Sequence, residues 1–189
     1  VMIDAPDAYE FTSHRTFDRD RALKLTLKSL EVAAEFNAEY LVLHMGSVPR
    51  MPHRKWTGRL TEMVREGLEP KPKLEKLRQK CIRKRSRVGA LYFQRALESL
   101  ELIAEKAAEL KVKLAIESRS RYEDVPTEDE MVLLQEHFSE NEWVGYWHDF
   151  GHVQLKHNIG LLEHEAWLKT MQPYLIGCLL YTSDAADDC

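Results

Sequence analysis

The chain reads as an α/β fold built on a parallel sheet, and three observations predict it. Short apolar runs at 40–44, 112–117, 143–149 and 174–180 alternate with amphipathic stretches. The connections between them are long enough for crossover helices, which parallel neighbours need and hairpins do not. Three successive runs also end in a residue able to hold a metal or move a proton: His44, Glu117 and Asp149. In parallel α/β proteins such residues gather at the carboxyl ends of strands. The rhythm alone leaves an open doubly wound sheet and a closed barrel both available. No G-x-G-x-x-G follows a strand, so a dinucleotide site lacks its signature.

In chain order, 1–6 is an apolar run stopped by Pro6 and is expected to be a strand. Residues 21–37 carry Ala22, Leu23, Leu27, Leu30 and Ala33 at helical spacing, with Asp18 or Asp20 to cap the start. The strand 40–44 leaves through a turn at Gly46. Residues 50–88, entered through Pro49, break the rhythm with three more prolines at 52, 70 and 72 and a basic run, read as a helical insertion that hides at most one strand. Between 65 and 88 there are ten Lys or Arg and three Glu, so the rest of the chain is acidic. This run reads best as a solvated helix face, with a phosphate or nucleic-acid site as the alternative. A strongly amphipathic helix spans 89–110. The strand 112–117 turns Val112, Leu114 and Ile116 one way and Lys113, Ala115 and Glu117 the other. A polar loop, 118–126, leads to Thr127, which caps a helix to about 137 with Glu130 in the capping-box position. The strand 143–149 turns Gly145, Trp147 and Asp149 to one face and Tyr146 and His148 to the other. A short helix at 163–171 and a strand at 174–180 follow.

The 189 residues suffice for one domain with its own core, and 44% hydrophobic with 31% charged residues is an ordinary globular composition. A net charge of −4 gives no global reason to expect nucleic acid or a membrane as partner. The three cysteines, Cys81, Cys178 and Cys189, lack C-x-x-C spacing, which fits a reducing cytoplasm better than a disulfide framework.

The chemistry points to the strand ends. Gly151 lets the chain turn after Asp149, so that Asp149 and His152 are presented together, a pairing of carboxylate oxygen and imidazole nitrogen that suits a divalent ion. The plainer reading makes Asp149 a helix cap and His152 a satisfied loop histidine. Glu117, directly after an apolar run, must be paired at the sheet end, either in a site or with Arg119 or Arg121.

Together, LVLHMGS at 41–47, LAIESR at 114–119, YEDVPTEDE at 122–130 and GYWHDFGH at 145–152 resemble the sugar phosphate isomerase/epimerase family of the xylose-isomerase-like barrel superfamily, with endonuclease IV a distant relative. The resemblance runs over about 1–177. It implies a partial (β/α)8 TIM barrel, with about five to six of eight βα units present, and a divalent metal (Mn, Mg, Co or Zn) at its carboxyl face. It implies His44, Glu117, Asp149 and His152 as metal ligands, Glu117 and His152 as catalytic groups, and Arg119, Trp147 and His152 as substrate contacts. The implied activity is metal-dependent isomerisation or epimerisation of a sugar or sugar phosphate through an enediolate. A zinc phosphodiesterase of the endonuclease type and a non-catalytic barrel module are the alternatives. A small carbohydrate is the expected partner, nucleic acid and membrane are not, and an oligomer is left open. The pattern departs in two places. Asp4 stands where the family usually has histidine, and Leu179 stands where a metal-binding histidine belongs. Residues 178–189 resemble adapter-derived read-through and are expected to be a non-native tail on a fragment that lacks the last ligand strands and is inactive alone.

Overall fold

The computed structural model describes residues 9–67 and 72–180. The strand expected at 1–6, with Asp4, lies outside them, as do 181–189. Four strands pair in one sheet: β1 (Tyr40–Leu43), β2 (Lys113–Glu117), β3 (Val144–Asp149) and β4 (Leu175–Leu179). All three pairings are parallel, and the strands lie in chain order, 1-2-3-4. A sheet that always advances to the next strand in one direction is what a barrel requires, whereas a doubly wound sheet reverses at a switch point. Leu43 faces Ile116, Ile116 faces Tyr146, and Asp149 faces Leu179, with a register shift between Tyr146 and Trp147 where β3 pairs with β4. Glu117 stands opposite Trp147, so β3 runs two residues past the end of β2 to Asp149.

The helices are α1 (Thr16–Glu35), α2 (Thr57–Arg65), α3 (Pro72–Leu110), α4 (Glu128–His137), α5 (Phe150–Asn158) and α6 (His164–Met171). Leu30, Leu100, Ile103, Leu114 and Ile116 are fully buried and form the centre of the core. β2 lies between two partners, and its last four residues are all buried, Glu117 included.

Four expectations need correcting. The helix expected at 21–37 starts five residues earlier, after Arg15; Asp18 sits within the first turn and accepts from Ser13 Oγ at 2.9 Å. The stretch 50–88 is not separate from the helix after it. A 3-10 turn (His53–Lys55) and α2 come first; then one helix of 39 residues, α3, runs through the supposed boundary at 88/89. No strand lies in this stretch among the described residues, so it adds no βα unit. The helix α5 begins immediately after Asp149, as its reading as a cap implies, so Gly151 lies within the first helical turn rather than in a sharp turn of its own. Finally, Tyr174 closes a 3-10 turn (Gln172–Tyr174), so β4 starts at Leu175 rather than at the expected 174.

Two residues of the basic run are structural. Arg78 Nε donates to the Ile159 carbonyl at 2.8 Å, at the end of α5, where a cation also complements the helix dipole. Arg85 is 3% exposed and grips Glu130 with both terminal nitrogens, at 2.8 and 2.6 Å. The same Glu130 closes the capping box of α4 by accepting from the Thr127 amide at 2.9 Å. Space for this fork comes from Gly89, on the next turn of α3: a Cβ there would stand 1.6 Å from Arg85 Nη1.

Gly89→Ala should therefore destabilise the fold, although alanine favours a helix by about 1 kcal/mol. Displacing the guanidinium leaves Glu130 without its partner, a loss of about 3–5 kcal/mol when complete. Urea unfolding should show a net loss in the native background. In an Arg85→Met background the same change should be neutral or stabilising.

Candidate metal and active site

The strand ends bring the predicted residues together. Glu117 is the last residue of β2 and Asp149 the last of β3; they are 6% and 0% exposed. His152 sits in the first turn of α5. Its Nδ1 lies 3.4 Å from Glu117 Oε1 and 3.4 Å from Asp149 Oδ2. Among the described residues, Glu117, Asp149 and His152 form a group whose ligand atoms all lie within 4.8 Å of one another. His44, just past β1, stands outside that group. Its Nε2 makes a very short hydrogen bond to Glu117 Oε2. Burial pushes the Glu117 carboxyl up, but the bond from His44 and the charges of His44, His152 and Arg119 outweigh it, and the group is held below the ordinary carboxylate range.

The plainer reading of Asp149 is also realised, without excluding the other. Asp149 Oδ1 accepts from the His152 amide at 2.9 Å and caps α5. Its second oxygen is the one near the imidazole. Ser118 ties the pieces together. Its hydroxyl accepts from the Asp149 amide, and its carbonyl is 2.9 Å from His152 Nδ1. A proton on Nδ1 directed at that carbonyl makes Nε2 the basic nitrogen. Ser118 was missed because a serine after a strand-end glutamate carries no distinguishing pattern.

Arg119 lies beside this group. Its Nη1 is 3.9 Å from Glu117 Oε2, its Nε is 3.5 Å from Asp124 Oδ2, and the buried Nη1 makes no hydrogen bond. The salt bridge offered as the plain account of Glu117 is thus loose, and His44 is the close partner. Trp147 stands two residues before Asp149 on the same face. Its indole crosses Gly177, where a Cβ would meet Cζ3 at 2.1 Å, and its ring centroid is 6.1 Å from that of Tyr40.

Behind β3, on its opposite face, runs a hydrogen-bonded chain that sequence reasoning did not anticipate. Trp167 Nε1–H donates to Tyr146 Oη at 2.9 Å. Tyr146 Oη is 2.8 Å from His148 Nδ1, His148 Nε2 is 3.0 Å from His164 Nε2, and His164 Nδ1 is 2.8 Å from Gln154 Oε1. With the Gln154 amide oxygen accepting from His164 Nδ1–H and both imidazoles neutral, His148 Nε2–H donates to His164 Nε2 and Tyr146 Oη–H donates to His148 Nδ1. Burial lowers His148 to about 4, with His164 and Lys156 adding to the effect. His164 is lowered by burial and by His157, with Glu163 opposing.

A parallel sheet in barrel order, with two buried carboxylates and an imidazole at its carboxyl end, defines part of a barrel with a polar carboxyl face. Residues 1–174 match the xylose isomerase-like TIM barrel family, and the chain belongs to it. Solved structures agree on the fold. The 3-keto-D-glucoside 4-epimerase of E. coli superposes with a TM-score of 0.58 at 16% identity, covering 90% of this chain and 54% of the other. A D-psicose 3-epimerase crystallised in the presence of D-fructose gives 0.60 at 17%, covering 91% and 48%. The D-psicose 3-epimerase of Clostridium cellulolyticum H10, with D-tagatose, gives 0.58 at 14%, covering 89% and 47%. The chain thus spans about half the length of these structures. No curated protein sequence shows significant similarity to it. No helix among the described residues is long and apolar enough to cross a membrane.

The neutral histidine chain sets a pH dependence. Unfolded, His148 titrates near 6.5; folded, near 4. Between these values the unfolded chain binds the proton, so stability falls as pH drops, by up to about 1.4 kcal/mol per pH unit for this one group. The contribution of Glu117 is lost only at lower pH, because its folded value is depressed. Urea midpoints from pH 7 to 4.5 should fall in the native chain and fall less in His148→Phe.

Proposed function

We propose that the full protein is a metal-dependent sugar epimerase or isomerase and that this chain carries the first part of its active site. The observation that carries the reading is the Glu117–Asp149–His152 group at the strand ends, two buried carboxylates facing one imidazole. Such a donor set fits a divalent ion with mixed oxygen and nitrogen preference, and two like charges this close call for a cation. The epimerase activities of the superposed structures support the same reading.

When bound, the ion would polarise a carbonyl and an adjacent hydroxyl of the sugar. Glu117 and Asp149 would hold it, with His44 fixing the orientation of Glu117 from the other side. Glu117, kept ionised, accepts the proton from the carbon next to the carbonyl, giving an enediolate. His152, steadied through Nδ1 by Ser118, presents Nε2 to a substrate hydroxyl. Arg119 offers its unsatisfied Nη1 to a sugar oxygen or a phosphate, and Trp147 supplies an apolar surface for the pyranose or open-chain carbons. The phosphodiesterase reading loses only part of its electrostatic support. Arg78 and Arg85 are bound into the fold, and Lys73, Lys76, Lys80, Arg83 and Arg87 lie along the exposed side of α3, opposite the core.

Titration of the chain with Mn2+ or Co2+ by calorimetry should show one site per chain, and Glu117→Gln should weaken it by at least about tenfold. Exchange of a ketohexose C–H for solvent deuterium, followed by NMR with the full-length protein, should be lost in the same variant. Binding that ignores Glu117 would overturn the proposal.

A further inference from the structure

The exposed face of α3 is charged in two opposite halves. Lys73, Lys76, Lys80, Arg83 and Arg87 are all exposed, at spacings of three and four residues. Glu98, Glu101, Glu105 and Glu109 continue the same line toward the carboxyl end and are also exposed. At 100° per residue these nine positions fall within one ridge about 54 Å long, on the side of the helix opposite Leu74, Cys81, Leu100 and Ala107 of the core.

Within its own helix this arrangement is unfavourable. Like charges three and four residues apart repel along each half. The basic half sits at the amino end and the acidic half at the carboxyl end, both against the helix dipole. The local relief is slight: Lys106 pairs with Glu109 and His137 with Glu101, each at 2.9 Å and exposed, where such pairs contribute little. Near the midpoint of the ridge stands Leu91, 57% exposed, and Leu102 is 53% exposed beside the acidic half.

We infer that α3 pairs antiparallel with α3 of a second copy of this chain. Turned end for end about a point beside Leu91, the ridge is its own complement. Arg83 then meets Glu98, Lys80 meets Glu101, Lys76 meets Glu105, and Lys73 meets Glu109. The two Leu91 side chains meet at the dyad, and Leu102 lies against the stem of the partner's Lys80. The contact is isologous, as a twofold dimer requires. Each copy also answers the helix dipole of the other. The surface is mostly polar, so the association depends on charge and weakens with salt.

Sedimentation equilibrium of the whole chain tests this. The native chain should dimerise at low salt and dissociate as salt rises toward about 0.5 M. The variants K80E/R83E and E98K/E101K should each be monomeric, with dissociation constants raised at least about tenfold. Mixed in equal amounts they should form a heterodimer, because the reversed charges at positions 80 and 83 of one then face the reversed charges at positions 101 and 98 of the other with opposite sign. Circular dichroism checks that each variant is folded, and recovery in the mixture is a readout that a folding defect cannot produce. A native chain that is monomeric at low salt, a dimer indifferent to both reversals, or a mixture that stays monomeric would overturn the inference.

Discussion

Two carboxylates buried at neighbouring strand ends set the terms for this molecule. Parallel pairing of β2 with β3 sets Glu117 opposite Trp147, two residues before Asp149, so both carboxylates lie at the carboxyl end of the sheet, and neither has access to much water. Like charges in such a place must be neutralised, bonded or matched by a cation. The surrounding chain answers in several ways at once. His44 reaches across from β1, Arg119 approaches from the loop after β2, and the amino end of α5 closes over Asp149. Ser118, one residue beyond Glu117, is bonded to both the Asp149 backbone and the His152 ring. The local fold at this end is organised around negative charge, which is also what a cation-dependent active site needs.

The two faces of β3 divide the work. Asp149 and Trp147 look toward the sheet's polar end and its open face, while Tyr146 and His148 lock the strand to α6 through Trp167 and His164. The second set touches no candidate ligand, yet it fixes the strand that carries one. A mispositioned strand end would move Asp149 relative to Glu117, so the precision of the site rests on packing behind it as well as on the ligands themselves.

Much of this was legible in the sequence because it is local. Alternation along 143–149 assigned the faces of β3 correctly, and the strand-end positions of His44, Glu117 and Asp149 anticipated that these side chains gather at one end of the sheet. Thr127 and Glu130 declared the start of α4, since a capping box needs only four consecutive residues. What escaped was tertiary. Gly89 looked like the start of a helix, but it lies within α3 and makes room for Arg85, a demand that comes from Glu130 on another helix. Pro72 looked like a break, yet proline is accommodated in the first turn of a helix. Gly151 looked like a sharp turn, yet it lies in the first turn of α5, the helix that the plainer reading of Asp149 as a cap implies. The partnership of His148 with His164 spans sixteen positions and two elements, and no periodicity announces it.

The double use of Asp149 narrows what evolution can place there. One oxygen starts a helix and the other faces an imidazole. Side chains that start helices well are asparagine, aspartate, serine, threonine and glycine. Side chains that ligate divalent ions with a charge or a ring nitrogen are aspartate, glutamate, histidine and cysteine. The two alphabets share a single letter. Under the proposed function, a substitution harmless at most strand ends would fail at this one, through the overlap of two mild preferences rather than through either alone.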